Sequence, residues 1–228
     1  MHWLAYQATR MTCRLILGAV TRIRVLHRER SARAGAFILV ANHISHFDPP
    51  FITVAARRKV DWMAMSEMFE NRLVRAWLWS VDTFSVHRFQ ADRAAVRAAL
   101  ERLRRGHVVG IFPEGGIRDG VHSILEAAPL PPGLGALASL SRAPVVPCVL
   151  VGSDQLYAHR NWLPFRRAGA WMAFGEALHF SGEGKVARAK FDDAVLAALR
   201  TLYAELKEHF HLSAEDLPQP PMRRKGRA

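Results

Sequence analysis

Four short runs of mostly apolar residues, each ending at or near a turn signal, set the strongest limit on how this chain can fold. They are residues 36–41 (AFILVA), 107–112 (HVVGIF), 145–151 (VVPCVLV) and 170–174 (AWMAF). None is long enough for a buried helix, and several are rich in β-branched residues, so they read as strands covered on both faces. Between and after them lie segments with apolar residues at three- and four-residue spacing. Residues 91–105 place Val96, Leu100 and Leu103 on one face, with Gly106 where a C-terminal cap belongs, and residues 192–210 place Val195, Leu199, Leu202 and Leu206 likewise. Strands alternating with helices imply a mostly parallel central sheet flanked by helices, an α/β fold.

With 228 residues, half of them apolar, the chain can bury one sizeable core, and a single domain is expected. Its boundaries read as a basic amphipathic helical segment over 1–30, the α/β domain over 31–212 and a disordered, Pro-rich basic tail over 213–228. In residues 3–26, Trp3, Leu4, Met11, Leu15, Ile16, Ala19, Ile23 and Leu26 recur at helical spacing among arginines, which suits either a helix docked on the core or one lying on a membrane. Residues 63–79 also read as helical, and their Met, Trp, Phe and Leu content favours core packing over an apolar groove.

The balance of 32 Lys plus Arg against 20 Asp plus Glu, a formal net charge of +12, draws polyanions, and both nucleic acid and anionic membrane qualify. No nucleic-acid-binding motif accompanies the charge, so nucleic acid is not expected as a partner. Cys13 and Cys148 are far apart and unpaired by any CxxC spacing, which argues for a reducing compartment and against a thiolate metal site. Charges or prolines interrupt every stretch before the roughly 20 apolar residues a membrane helix needs. Arginines at 10, 14, 22 and 24 likewise break up any secretory signal.

The chemistry concentrates in loops that follow the strands. Asn42-His43-Ile44-Ser45-His46-Phe47-Asp48 places a histidine at one strand exit and a carboxylate five positions on, where Asp48-Pro49-Pro50 suits a helix start with Asp48 as its cap. A histidine can take a hydroxyl proton, and a carboxylate on its other nitrogen fixes the tautomer and stabilises the imidazolium. Competing readings are a purely capping Asp48, or a metal held by His43, His46 and Asp48. The chain offers no second ligand cluster of comparable promise, and no metal is expected. After the second strand comes Pro113-Glu114-Gly115-Gly116, followed by Arg118, again at a strand end where ligands collect in open α/β sheets. A third segment, Phe84-Ser85-Val86-His87-Arg88, ends an extended stretch with an arginine suited to phosphate.

In this order, Asn42-His43-x-Ser45-x-x-Asp48, Phe112-Pro113-Glu114-Gly115 and Val145-Val146-Pro147-Cys148-Val149-Leu150 resemble the glycerolipid acyltransferase family, over residues 37–152. The resemblance implies transfer of a fatty acyl group from acyl-CoA or acyl carrier protein to the hydroxyl of a lysophospholipid-type acceptor, lysophosphatidic acid favoured, without metal or organic cofactor. It implies His43 as general base, Asp48 as its orienting carboxylate and Arg88 as a phosphate ligand. It further implies Glu114, Gly115, Gly116 and Arg118 around the acceptor, with Asn42, Ser45 and Pro147 in support. It also shifts the first helix towards peripheral membrane attachment, on the cytoplasmic side. The sequence departs from the family twice: Asp82 stands where a glycine often precedes the arginine block, and Gly116-Ile117-Arg118 replaces Thr-Arg-Ser. Both departures bear on the acceptor, leaving open a non-glycerophosphate acceptor such as a lyso-aminolipid. A thioesterase, or a non-enzymatic basic membrane- or nucleic-acid-binding protein, would share parts of the same pattern.

Overall fold

A computed structural model describes residues 2–87, 92–163 and 168–226. Seven strands form one sheet: β1 (Thr21–Leu26), β2 (Phe37–Ala41), β3 (Val60–Met65), β4 (Phe84–Val86), β5 (Val108–Ile111), β6 (Val145–Val151) and β7 (Ala168–Phe174). Their spatial order is β1-β7-β6-β2-β5-β3-β4, and every neighbouring pair is parallel except β6–β7. The expected mostly parallel α/β architecture is therefore present.

Alternate residues of each strand feed two separate cores. Ile38, Val40, Val109, Val145 and Val149 pack on one face, while Phe37, Leu39, Val108, Val146 and Cys148 pack on the other. The first face is covered by α4 (Arg93–Arg104), α5 (Leu134–Ser141) and α6 (Gly184–His209), with Val195, Leu199, Leu202 and Leu206 of α6 buried as their spacing requires. The second is covered by α1 (His2–Val20) and α2 (Asp48–Ala55). α4 ends as expected, with Gly106 in the left-handed region at φ 80°, but it buries Ala95, Ala99 and Leu103 and leaves Val96 exposed.

Three expectations need correction. The helix over residues 3–26 stops at Val20, and Thr21–Leu26 instead pairs with β7 as an edge strand. Arg22 and Arg24 alternate with Ile23 and Val25 there, a period of two that places the charges in solvent. Residues 63–65 belong to β3, because Met63, Ala64 and Met65 pair with β4, and the helix in this region is the shorter α3 (Arg72–Ser80). The tail is not disordered over 213–226: it carries a short helix, α7 (Pro221–Lys225), and the Arg224 side chain is buried.

Pro147 sits inside β6, where it can donate no ladder hydrogen bond. Gly175, Glu176 and Ala177 lie opposite only Val146 and Pro147 between the Cys148–Phe174 and Val145–Leu178 pairings, so β6 faces a bulge at the proline. Its role is to shape the strand; it does not line the cavity described below.

Candidate active site

β2 and β5 run side by side, so the loops leaving their C-terminal ends meet at one edge of the sheet. Asn42, fully buried, extends β2: its amide donates to the Leu150 carbonyl and accepts from the Leu150 N–H, each at 2.9 Å. The next residue, His43, is thereby delivered at a fixed height above the sheet. Its main chain is held on both sides by the loop after β5. The His43 N–H donates to Glu114 Oε2 at 2.6 Å, and the Arg118 N–H donates to the His43 carbonyl at 2.8 Å.

The imidazole Nδ1 lies 2.7 Å from Asp48 Oδ2. Asp48 is the first residue of α2 and its cap is Phe47, so the carboxylate is not used on the helix it opens. It turns back onto the loop, where Oδ2 accepts the N–H groups of Ile44 at 2.7 Å and Ser45 at 2.9 Å. The helix begins there because Pro49 and Pro50 fit its first turn. Ser45 is buried and closes the turn through its hydroxyl, which accepts from the Phe47 N–H at 2.9 Å. With Nδ1 engaged, Nε2 is the ring nitrogen left for a substrate proton.

The imidazole stacks on Phe112 at 4.3 Å between ring centroids, and Phe112 stacks on Trp62 at 5.0 Å. Gly110 on β5 makes this stack possible, because a Cβ there would come within 2.6 Å of the Trp62 ring. Three rings in series fix the plane of the base.

His43 opens onto a mostly apolar cavity of about 360 Å³. Trp62, Met63, Met65 and Met68 line one wall, Trp77 and Leu78 of α3 another, and Thr9 and Cys13 of α1 a third. The methionine- and tryptophan-rich stretch thus forms a groove, the lesser of its two sequence readings. Unbranched methionines give that wall an adaptable shape.

The site residues expected from the sequence divide clearly. His43 and Asp48 meet, Gly115 and Gly116 line the cavity beside them, and Gly115 takes the left-handed region at φ 63° that its turn demands. Glu114 is buried, and both its oxygens are taken by main-chain N–H groups, Oε1 accepting from Ile124 at 3.0 Å, so it braces the loop. Burial raises its pKa, against the pull of those N–H groups. The Arg118 side chain is exposed, and its main chain is what holds His43. Arg88 lies outside the described residues. His46 does not converge with His43 and Asp48: its Nδ1 lies 2.7 Å from the Tyr157 hydroxyl. Among the described residues no group of three His, Cys, Asp or Glu side chains could hold a metal ion.

Asp82, where the family often has glycine, adopts φ 63° and pairs with Lys59. It keeps a glycine conformation and spends its charge on the pair with Lys59. Sequence reasoning missed Ser153, whose hydroxyl donates to Asp48 Oδ1 at 2.5 Å, and no sequence signal marked it.

A sequence model of the acyltransferase family matches residues 22–151, more than half of the chain. The chain belongs to that family. The acyltransferase is 24% identical over 167 residues to the 1-acyl-sn-glycerol-3-phosphate acyltransferase of Bacillus subtilis (strain 168), covering 73% of this chain and 78% of that one. Its fold is similar to the crystal structure of the 1-acyl-sn-glycerophosphate (LPA) acyltransferase PlsC from Thermotoga maritima. That similarity has a TM-score of 0.68 and 19% identity, over 88% of this chain and 79% of the other. The matched segment contains His43, Asp48 and Glu114.

Proposed function

We propose that this acyltransferase moves a fatty acyl group from a thioester of coenzyme A or acyl carrier protein to the hydroxyl of a lysophospholipid, with lysophosphatidic acid the favoured acceptor, in phospholipid synthesis. The observation that carries the reading is a histidine–carboxylate dyad, at 2.7 Å, opening onto a cavity walled by methionine and tryptophan. Such a cavity suits an acyl chain, and its size lies at the lower end of small-ligand sites.

The chemistry needs no protein nucleophile. The acceptor oxygen attacks the thioester carbonyl as His43 Nε2 takes its proton, and Asp48 stabilises the imidazolium. Collapse of the tetrahedral intermediate breaks the C–S bond, and the leaving thiolate takes that proton from the imidazolium. Arg88, which the family resemblance assigns to phosphate, and the exposed Arg118 supply cations for the acceptor headgroup.

The same reading has the enzyme work peripherally on the cytoplasmic face of a membrane. Among the described residues no helix is long and apolar enough to cross one. The apolar residues that α1 collects at helical spacing point outward: Trp3, Leu4, Met11, Leu15 and Ile16 are exposed, while Tyr6, Leu17 and Val20 face the core. On α3, Leu73, Trp77 and Trp79 are also exposed, and Trp77 Nε1 donates to Thr9 Oγ1 of α1 at 3.2 Å, which ties the two faces together beside the cavity. Arg14 and Arg72, both exposed on these helices, add attraction to anionic headgroups of about 1 kcal/mol each.

Incubating the purified protein with acyl-CoA or acyl carrier protein thioesters and a panel of lysolipids, then identifying products by mass spectrometry, tests the proposal. It predicts a new diacyl phosphatidic acid. Release of free fatty acid alone would instead establish a thioesterase, and acylation of an aminolipid alone would move the acceptor away from glycerophosphate.

A further inference from the structure

Asp48 has two oxygens, and the dyad uses one. The other accepts from Ser153, which is fully buried and opens a 3-10 turn over Ser153–Tyr157 just beyond β6. That turn touches the catalytic loop a second time, since the Tyr157 hydroxyl accepts from the His46 N–H at 3.2 Å and sits 2.7 Å from its Nδ1. Both ends of the turn, Ser153 and Tyr157, therefore hold the histidine loop, at Asp48 and at His46.

The turn is itself gripped from outside by the C-terminal segment. Arg224, buried, donates through Nε to Asp154 Oδ2 at 2.6 Å and through its two Nη atoms to the carbonyls of Glu215 at 3.0 Å and Leu217 at 2.9 Å. The Gln219 N–H donates to the same Asp154 oxygen at 3.1 Å. Lys225 stands over the Tyr157 ring at 5.8 Å from its centroid. A guanidinium buried on a buried carboxylate is costly to break, because either partner alone is left as an uncompensated charge. Residues 213–226 are thus locked to the turn at Asp154 and Tyr157, and the turn is locked to the dyad's loop at Asp48 and His46.

We propose that the C-terminal segment is a positioning strap for the catalytic dyad, acting from Arg224 through Asp154 and Ser153 to the Asp48 carboxylate. Ser153 and Arg224 are positioning residues: neither lines the cavity. Ser153 holds the Asp48 carboxylate from the side opposite the imidazole, and Arg224 holds the turn that presents Ser153. The inference rests on the acyl-transfer reading for its kinetic consequence, though not for its structural one.

The test is a double-mutant cycle on the full chain with Ser153→Ala, Arg224→Ala and the pair, checked for folding by circular dichroism. Each single change lowers kcat roughly tenfold and leaves both KM values within about twofold, because orientation of the base is lost while the cavity is intact. The pair loses little more than either single change, whereas independent effects would multiply to about a hundredfold. In parallel, the ¹⁵N resonances of the His43 imidazole, assigned with His43→Gln, shift in both single variants. Effects on kcat that multiply, or His43 resonances unmoved by Arg224→Ala, overturn the strap. The resonance measurement needs no turnover, so failure of the acyl-transfer reading and failure of the strap register separately.

Discussion

The main-chain N–H of His43 donates to the Glu114 carboxylate at 2.6 Å, so the base and the strand-end glutamate are one construction rather than two motifs that share an edge. The other oxygen of Glu114 accepts from the Ile124 N–H, and the glutamate therefore spans the loops on both sides of it.

Replacing that carboxylate with an amide presents an NH₂ to one of two N–H donors. Glu114→Gln should therefore lower stability by about 1–3 kcal/mol, the cost of an unsatisfied buried donor. Turnover should fall with it, because the His43 main chain loses its anchor. Urea denaturation alongside kcat checks both; a variant with unchanged midpoint and turnover would show that the bridge is dispensable.

The ring stack beneath the base makes a separate prediction. A methyl group at position 110 would sit 2.6 Å from the Trp62 ring and from the Val60 side chain, so Gly110→Ala must displace them. Overpacking of this kind costs about 1–3 kcal/mol, and the disturbance passes through Phe112 to His43. Thermal unfolding should show the loss, with reduced kcat in the surviving fold.

Asp82 separates a structural from a recognition role. If its left-handed conformation and its pairing with Lys59 are its whole contribution, Asp82→Gly keeps the conformation and Asp82→Ala does not. The alanine variant should be less stable than the glycine variant by about 1 kcal/mol. Acceptor KM should stay within about twofold in the glycine variant; a large rise would return the position to acceptor recognition.

The buried Asp154 gives stability a pH dependence of known sign. Burial raises its pKa from 3.8 to about 6 in the folded chain, against the pull of Arg224. Between those values the folded state holds a proton that the unfolded state has released. The contribution is thus full at low pH and is lost as pH rises through about 6. Asp154→Asn should remove that component, so that the stability difference between wild type and variant changes across pH 4–6 and is flat above. Chemical denaturation at several pH values reads the slope; a difference independent of pH would contradict the raised pKa.

What the sequence disclosed follows physical lines. β2, β5, β6 and β7 are covered on both faces, and their apolar residues run together, so they could be read directly. β1 could not, because Ile23 and Leu26 continue the helical spacing of α1 while the alternation of Arg22 and Arg24 is only a few residues long. β3 hides behind Asp61, a buried carboxylate inside a strand, whose partners are Lys59 just ahead of that strand and His107 just ahead of β5. His43 and Asp48 were legible because their spacing within one loop almost determines their meeting. Ser153 and Arg224 were not, since a serine after a strand and an arginine in a proline-rich tail have no signature until tertiary structure gives them partners. Arg88, singled out by its sequence, lies outside the described residues.

The most direct measurement is the turnover of His43→Ala with acyl-CoA and lysophosphatidic acid, in protein shown to be folded. Loss of a general base should lower kcat by about a hundredfold to ten-thousandfold. Near-normal turnover in the folded variant would mean that the dyad at 2.7 Å is a structural contact and that the chemistry lies elsewhere.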